Sequence, residues 1–357
     1  MIVLGIDTSC DDTSAGVVAH GTRVFSNVVH SQVTLHHPHG GVVPELASRE
    51  HIRNIMPVVE EAVTRAGLRI DDLEGIAVTV GPGLVGSLLV GLYYAKGLAY
   101  ALGIPLAAVN HLEGHILSIF LEEEVPAFPF VALTVSGGHT SLYHVKGYGQ
   151  YIQMGQTLDD AAGEAFDKVA KILGLGYPGG VVIEHRAQEG DEAKIPFPRA
   201  WLSDFSLDFS FSGLKTAVAL YIKKWHKGGV ENTGAVLADI AASFQEAVID
   251  VLVHKAMKAT AQVGALALVM AGGVACNQRL RTRLREEAHK DKVRVYYPRP
   301  EYCTDNGAMI AAAGFHRLLA GERAAPSGDV KSKYLISDLP PLGAPPSYAA
   351  HASKRKI

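Results

Sequence analysis

The chain reads as an α/β protein built of two related lobes that face one another, and three observations predict this. From Gly75 to Phe120 a buried strand, a glycine loop, an apolar helix, a strand and a second helix follow in succession, which is how a parallel α/β sheet is wound. The same succession returns between Ala265 and Leu319. Each copy is also preceded by a short hairpin pattern whose tip holds small and hydroxyl residues, first after Ile6 and again after Val135. Order repeated at this scale marks an internal duplication.

A chain of 357 residues is long enough to bury two sizeable cores. It is 48% hydrophobic and 19% charged with 37 glycines, so it is globular and has many sites for tight backbone loops. A formal charge of −3 excludes a globally basic nucleic-acid binder, and any polyanion must meet a local patch. Cys10, Cys276 and Cys303 lack C-x-x-C spacing, which argues against a disulfide framework and a cysteine-only zinc site and points to a reducing cytoplasm. No charged leader precedes the first strand, and Lys96 interrupts the longest apolar stretch, so neither export nor membrane insertion is expected.

In chain order, Ile2–Ile6 is a buried strand, Asp7–Ser14 a polar turn and Ala15–Ala19 the returning strand, with Val24–Val29 a third. The next segment, 30–44, holds His30, His36, His37 and His39 in no standard ligand spacing, which favours a flexible functional loop over a metal cluster. Helical periodicity from Glu45 to Gly67 puts Arg49 and Arg53 on an exposed face. Gly75–Val80 is a strand, Gly81-Pro82-Gly83 a tight loop, Leu84–Leu102 an apolar helix and Ile104–Val109 a strand. In the second copy the strands are Phe130–Val135, Ser141–Val145, Ala265–Met270 and Val293–Tyr297, and the helices Gln278–His289 and Gly307–Leu319. The predicted first lobe is 1–125 with 304–323 returning to it. The second is 126–303, carrying a helical insertion over 149–225, and 324–357, rich in proline, serine and alanine with a basic tip, is a flexible tail.

The densest chemistry lies at Asn110-His111-Leu112-Glu113-Gly114-His115. Residues i and i+4 return to one helix face, so both imidazoles can reach one ion. Alone, such a pair also fits two solvated surface histidines. Asp305 follows Gly272-Gly273 at much the distance by which His111 follows the Gly81-Pro82-Gly83 loop. Pseudo-two-fold symmetry would bring the two positions together as a two-histidine, one-carboxylate set with open positions, suited to Zn²⁺ or Fe²⁺. The competing reading of Thr304-Asp305 is a plain helix cap.

Glycine and hydroxyl tips at Asp7–Ser14 and Ser136–Thr140 present backbone N–H groups to an anion. Gly272-Gly273 ahead of a helix suits a nucleotide phosphate or adenosine edge, with Asn277 available to a ribose or base. Within the insertion, Asp167 precedes the turn-dense Gly174–Gly180 loop, and Phe209–Lys215 reads either as a phosphate contact or as a strand-to-helix junction.

Taken together, Asp7–Thr13, Gly40–Arg49, Asn110–His115, Val135–Thr140 and Thr304–Met309 closely resemble the motifs of the TsaD family, over almost the whole chain to about Gly321. The resemblance implies an ASKHA (actin, sugar kinase, heat-shock chaperone) fold, with two duplicated RNase H-like lobes around a cleft. It implies transfer of the threonylcarbamoyl group from threonylcarbamoyl-AMP to N6 of the adenosine 3′ to the anticodon, position 37, in tRNAs reading ANN codons, with ATP or ADP accommodated in the same cleft. It implies His111, His115 and Asp305 as ligands of one divalent ion. Thr134, Val135, Ser136, Gly137, Gly138, Asp167, Gly180, Glu184 and Asn277 match substrate positions, while Asp7 and Asp12 are the carboxylates open to proton handling or positioning. Glu184 stands where many members carry Asp, and Asp12 where many carry Glu. Implied partners are tRNA, a TsaB-like paralogue forming a heterodimer, a TsaE-like ATPase and a TsaC-type synthase upstream. Arg49, Arg53 and the tail lysines are the residues offered for the tRNA surface.

Two other readings compete. An actin-like nucleotide-binding scaffold would share the fold without the chemistry. A metalloprotease would use H-E-x-x-H, but Glu113 lies two positions after His111, about 200° round the helix from the metal face.

Overall fold

The structure is a computed structural model that describes residues 1–203, 205–227 and 234–342. The first lobe runs β1 (Ile2–Asp7), β2 (Asp12–Ala19), β3 (Arg23–Ser31), α1 (Val33–His36), α2 (Pro44–Arg65), β4 (Gly75–Gly81), α3 (Val85–Leu102), β5 (Leu106–Asn110) and α4 (His111–Leu117). The second runs β6 (Phe130–Val135), β7 (Thr140–Gly147), β8 (Gln150–Gln156), α5 (Ala162–Leu173), α6 (Gly179–Ala187), α7 (Ser212–Lys227), α8 (Gly234–Val263), β9 (Ala267–Ala271), α9 (Gln278–Lys290), β10 (Arg294–Tyr296) and α10 (Pro300–Cys303). The last helix, α11 (Gly307–Leu319), returns to pack on the first sheet.

The duplication is explicit in the sheets, ordered β3-β2-β1-β4-β5 and β8-β7-β6-β9-β10. In each, the first three strands pair antiparallel and the last two join in parallel. The sheets are therefore mixed, where the β-loop-α-β succession alone predicted parallel ones: the opening hairpins belong to the same sheets as the crossovers. The third strand of the second sheet, β8, falls in the stretch expected to open the insertion. It is a half-exposed edge strand rich in glutamine, without the apolar alternation by which strands are recognised.

Alternation along the strands splits the interior into three layers. Leu4 and Ile6 face α2 and α3 in one core. Val131, Leu133 and Val135 face α5 and α8 in another. Between the sheets lies a shared core in which Val3 and Ala77 of one lobe and Phe130, Ala132 and Val269 of the other enclose α4 and α11. The helix α11 lies hard against the first sheet because glycines meet there. A Cβ on Gly5 would come 2.1 Å from the Gly307 carbonyl oxygen, and one on Gly307 would come 2.2 Å from the Gly16 nitrogen. This approach fixes the loop at Thr304–Asn306 ahead of α11.

The flexible tail expected from 324 is not what residues 324–342 form. Ala324 donates to the Leu106 carbonyl and Lys331 to the Val80 carbonyl, and Ile336 and Leu339 are buried in the shared core. Proline and serine suppress helix and strand here, yet an extended strap satisfies its backbone on strand ends. The basic tip at 353–357 lies outside the described residues.

Candidate metal centre and substrate cleft

The strand β5 ends at Asn110, whose Oδ1 accepts from the Leu112 and Glu113 N–H groups and so caps α4. The Asn110 amide donates in turn to the Tyr334 carbonyl of the strap. Starting from that cap, His111 and His115 fall on one face of α4, both buried, with ring centroids 4.6 Å apart. Opposite them Asp305 projects from the loop ahead of α11, which is itself capped by Asn306. Its Oδ1 lies 3.1 Å from His115 Nε2 and 3.4 Å from His111 Nε2. The solvated-surface reading of the pair therefore falls, and the helix cap is Asn306 rather than Asp305.

One ligand atom from each of the three lies within 4.8 Å of the others, and among the described residues no other such group of three is found. The donor set fits a divalent ion on a specific ground. His111 Nδ1 is 3.2 Å from Asp7 Oδ2, which orients the ring and leaves Nε2 to the ion. The charges agree: burial alone would lower the His111 pKa, but Asp305 and Asp7 hold it well above the usual imidazole range. Burial would raise Asp305, and the two histidines hold it well below the carboxylate range. An ion bound there would replace that proton-mediated attraction.

The remaining carboxylate, Asp12, opens β2 with one buried oxygen, Oδ1, unpartnered. Burial, then Asp305 and Asp11, pushes it up to about 7. Asp7 is wholly buried behind His111.

On the second lobe, Ser136, Gly137 and Gly138 form the β6–β7 turn. Ser136 N donates to the His139 carbonyl, and His139 N to Ser136 Oγ. A Cβ on either glycine would meet open space. Strand geometry turns the two preceding residues away from such a role for their side chains. Val135 is in the outer core, and Thr134 Oγ1 is held by the Ser141 carbonyl, 3.4 Å away. Asp167 on α5 accepts from Gly179 N at 2.7 Å, docking α6 and Gly180 beside it, and burial raises it to about 6. Glu184 accepts from Gln278 N at 2.7 Å, while Asn277 caps α9 and donates to Gln245 at 2.8 Å. Glu184, Gln245, Gln278 and Arg279 line a pocket of about 390 Å³.

Several participants were not assigned from sequence. His139 sits in the second lobe's hairpin tip, and burial, then the nearby His111 and His115, lowers it to about 4, so it faces the triad as a neutral imidazole. Across the cleft Tyr177 donates to Asp11 at 3.3 Å, and Lys171 to the His39 carbonyl at 3.4 Å. His36 is a buried structural residue bonded to Gln32 and Val43 N, so the 30–44 loop is held from within. The Phe209–Lys215 segment is the junction: Asp159 caps the α7 start, and Lys215 is paired with Asp160. Glu113 is fully buried against Arg317 and Tyr151, so it cannot serve as a protease base.

The family model of TsaD, described as tRNA N6-adenosine threonylcarbamoyltransferase, matches residues 23–312. The chain belongs to the TsaD family. Curated relatives carrying the same description are 55% identical in Desulforapulum autotrophicum (90% of this chain, 95% of that one) and 56% identical in Anaeromyxobacter dehalogenans (91% and 96%). Among solved structures, full-length HypF aligns at TM-score 0.57 and 14% identity over 88% of this chain and 54% of its own. Component A of the Acidaminococcus fermentans (R)-2-hydroxyglutaryl-CoA dehydratase aligns at 0.51 and 16% over 88% and 98%. These likenesses speak to the fold, and this TsaD-family chain has the ASKHA fold of two duplicated lobes.

Proposed function

We propose that the chain transfers the threonylcarbamoyl group from threonylcarbamoyl-AMP to N6 of adenosine 37 in tRNAs reading ANN codons. The observation that carries the reading is the convergence of His111, His115 and Asp305 at the cleft of a TsaD-family chain. A divalent ion, Fe²⁺ or Zn²⁺, held by these three would supply Lewis-acid polarisation of a carbamoyl or phosphate oxygen. The N–H groups of Gly137 and Gly138 bind anionic oxygens of the donor, and the pocket beside Asn277 and Glu184 takes its adenosine. The N6 amine attacks the carbamoyl carbon, the carbon–oxygen bond to phosphate breaks, and AMP leaves. Asp12 Oδ1, unpartnered, is placed to take the proton released from N6. Asp7 positions His111.

The partner reading has its own support. On α2 and α3, Ile52, Met56, Tyr93 and Tyr100 are exposed, an apolar face suited to a TsaB-like paralogue. A TsaE-like ATPase and a TsaC-type synthase complete the proposed system in the cytoplasm. Arg49 and Arg53 are engaged with Glu45 and Glu50 on the same helix, so as tRNA contacts they would first exchange those partners. Incubating tRNA with the protein, these partners, threonine, bicarbonate and ATP, then measuring nucleosides by mass spectrometry, tests the proposal. Threonylcarbamoyladenosine is expected with the native chain and not with His111→Ala or Asp305→Ala. Its absence with demonstrably active partners would overturn the reading.

A further inference from the structure

We infer that Glu113, clamped between Arg317 and Tyr151, is the positioning residue of the metal centre, holding the helix that bears His111 and His115 in register with Asp305. The inference rests on the reading of those three residues as metal ligands.

The helix α4 has seven residues, too few to be stable or fixed in rotation by itself. An imidazole nitrogen on its face lies about 5 Å from the axis, so a 20° rotation moves it by about 2 Å. Metal–ligand distances hold within about 0.2 Å. Something must therefore set the rotation, and Glu113, on the face turned from the histidines, makes the needed contacts. Its Oε2 accepts from Arg317 Nε at 2.6 Å and its Oε1 from the Tyr151 hydroxyl at 2.9 Å. Arg317 belongs to α11 and Tyr151 to β8, so one carboxylate ties α4 to the helix that follows Asp305 and to the opposite lobe. Arg317 is itself held by Glu322 at 2.7 Å. Next to Glu113, a Cβ on Gly114 would approach Ile310 to 2.8 Å, so α4 and α11 are already in close contact at this level.

All three clamp side chains are buried: Glu113 is 0% exposed, Arg317 1% and Tyr151 9%. A buried ion pair is weak evidence for stabilisation, because desolvation offsets much of the attraction and apolar replacements are often as stable. Its directionality, with two hydrogen bonds leaving one planar carboxylate toward two elements, is what an apolar contact would lack. Glu113 touches no reacting atom and acts through His111 and His115.

Co²⁺ alone is the probe, because its visible spectrum reports ligand number and geometry, and chelator competition gives its affinity. The full-length native protein is compared with Glu113→Gln and with Tyr151→Phe, each checked for folding by circular dichroism. Glu113→Gln is expected to bind Co²⁺ about 10-fold more weakly with an altered spectrum, the lower end of the scale for losing a group bonded directly to a metal ligand, because Glu113 acts on the ligands through their helix. Tyr151→Phe is expected to show the same spectral change with a smaller affinity loss. If whichever of these variants fold keep native affinity and spectrum, the clamp is overturned. If the native chain binds no Co²⁺, or His111→Ala binds it equally well, the metal-site reading falls and takes the clamp with it.

Discussion

His111 Nδ1 lies 3.2 Å from Asp7 Oδ2, and that contact decides which nitrogen of the ring faces the cleft. A carboxylate can only accept there, so Nδ1 keeps a proton and Nε2 is the nitrogen that gives up its own when an ion binds. Asp7→Asn offers an amide donor instead and favours the opposite tautomer. The variant should fold normally and bind Zn²⁺ or Fe²⁺ about 10–100-fold more weakly. Metal-competition titration checks this, and unchanged affinity would return Asp7 to the list of groups open to acid–base work.

Asp12 is expected to behave differently. Its unpartnered Oδ1 and its pKa, pushed up to about 7 by burial, Asp305 and Asp11, suit proton transfer and not ligation. Asp12→Asn should retain metal and nucleotide affinity while lowering the transfer rate roughly 10²–10⁴-fold. Single-turnover assays separate the two quantities, and a variant that loses metal instead would place Asp12 among the ligands.

Gly137 and Gly138 have open space where a Cβ would stand. Gly137→Ala and Gly138→Ala are therefore expected to leave the unfolding free energy from urea titration within about 0.5 kcal/mol of the native protein. If the turn receives anionic oxygens, the same variants should weaken nucleotide binding by calorimetry, because the methyl group occupies the approach to the backbone N–H groups. By contrast, Gly307→Ala meets the Gly16 backbone and should cost about 1–3 kcal/mol. Equal stability losses in all three would mean that the turn glycines serve the fold.

The duplication and the meeting of His111, His115 and Asp305 were legible because both rest on spacing. Residues four apart share a helix face, and a repeated order of elements predicts which distant residue answers them. What spacing does not encode was missed. Glu113 could be placed away from the metal, but its partner Arg317 is 204 residues distant and follows no period. Thr134 and Val135 lie in a matching motif, yet strand alternation and a ladder carbonyl take their side chains elsewhere. The strap at 324–342 has the composition of a disordered tail, and its order comes from strand ends that a linear reading does not bring near. His139 stood in a recognised motif, and its place before the triad emerged only when the second hairpin was set across the cleft.

His316 of α11 and Tyr148 of the β7–β8 turn meet at the seam between the lobes. The His316 ring stacks on Tyr148 at 3.6 Å, and burial pushes its pKa down to about 4. An unfolded histidine titrates near 6.5, so between these values the unfolded chain binds the extra proton. The stability contributed by a neutral His316 is therefore complete above about pH 6.5 and lost as pH falls toward 4, on the order of 3 kcal/mol in all. His316→Phe keeps a stacking ring and removes the titration. Urea unfolding at pH 7, 5.5 and 4.5 should show a shallower decline for the variant than for the native protein. Parallel declines would mean that the His316 proton is bound equally in both states, and the seam would then owe nothing to its neutrality.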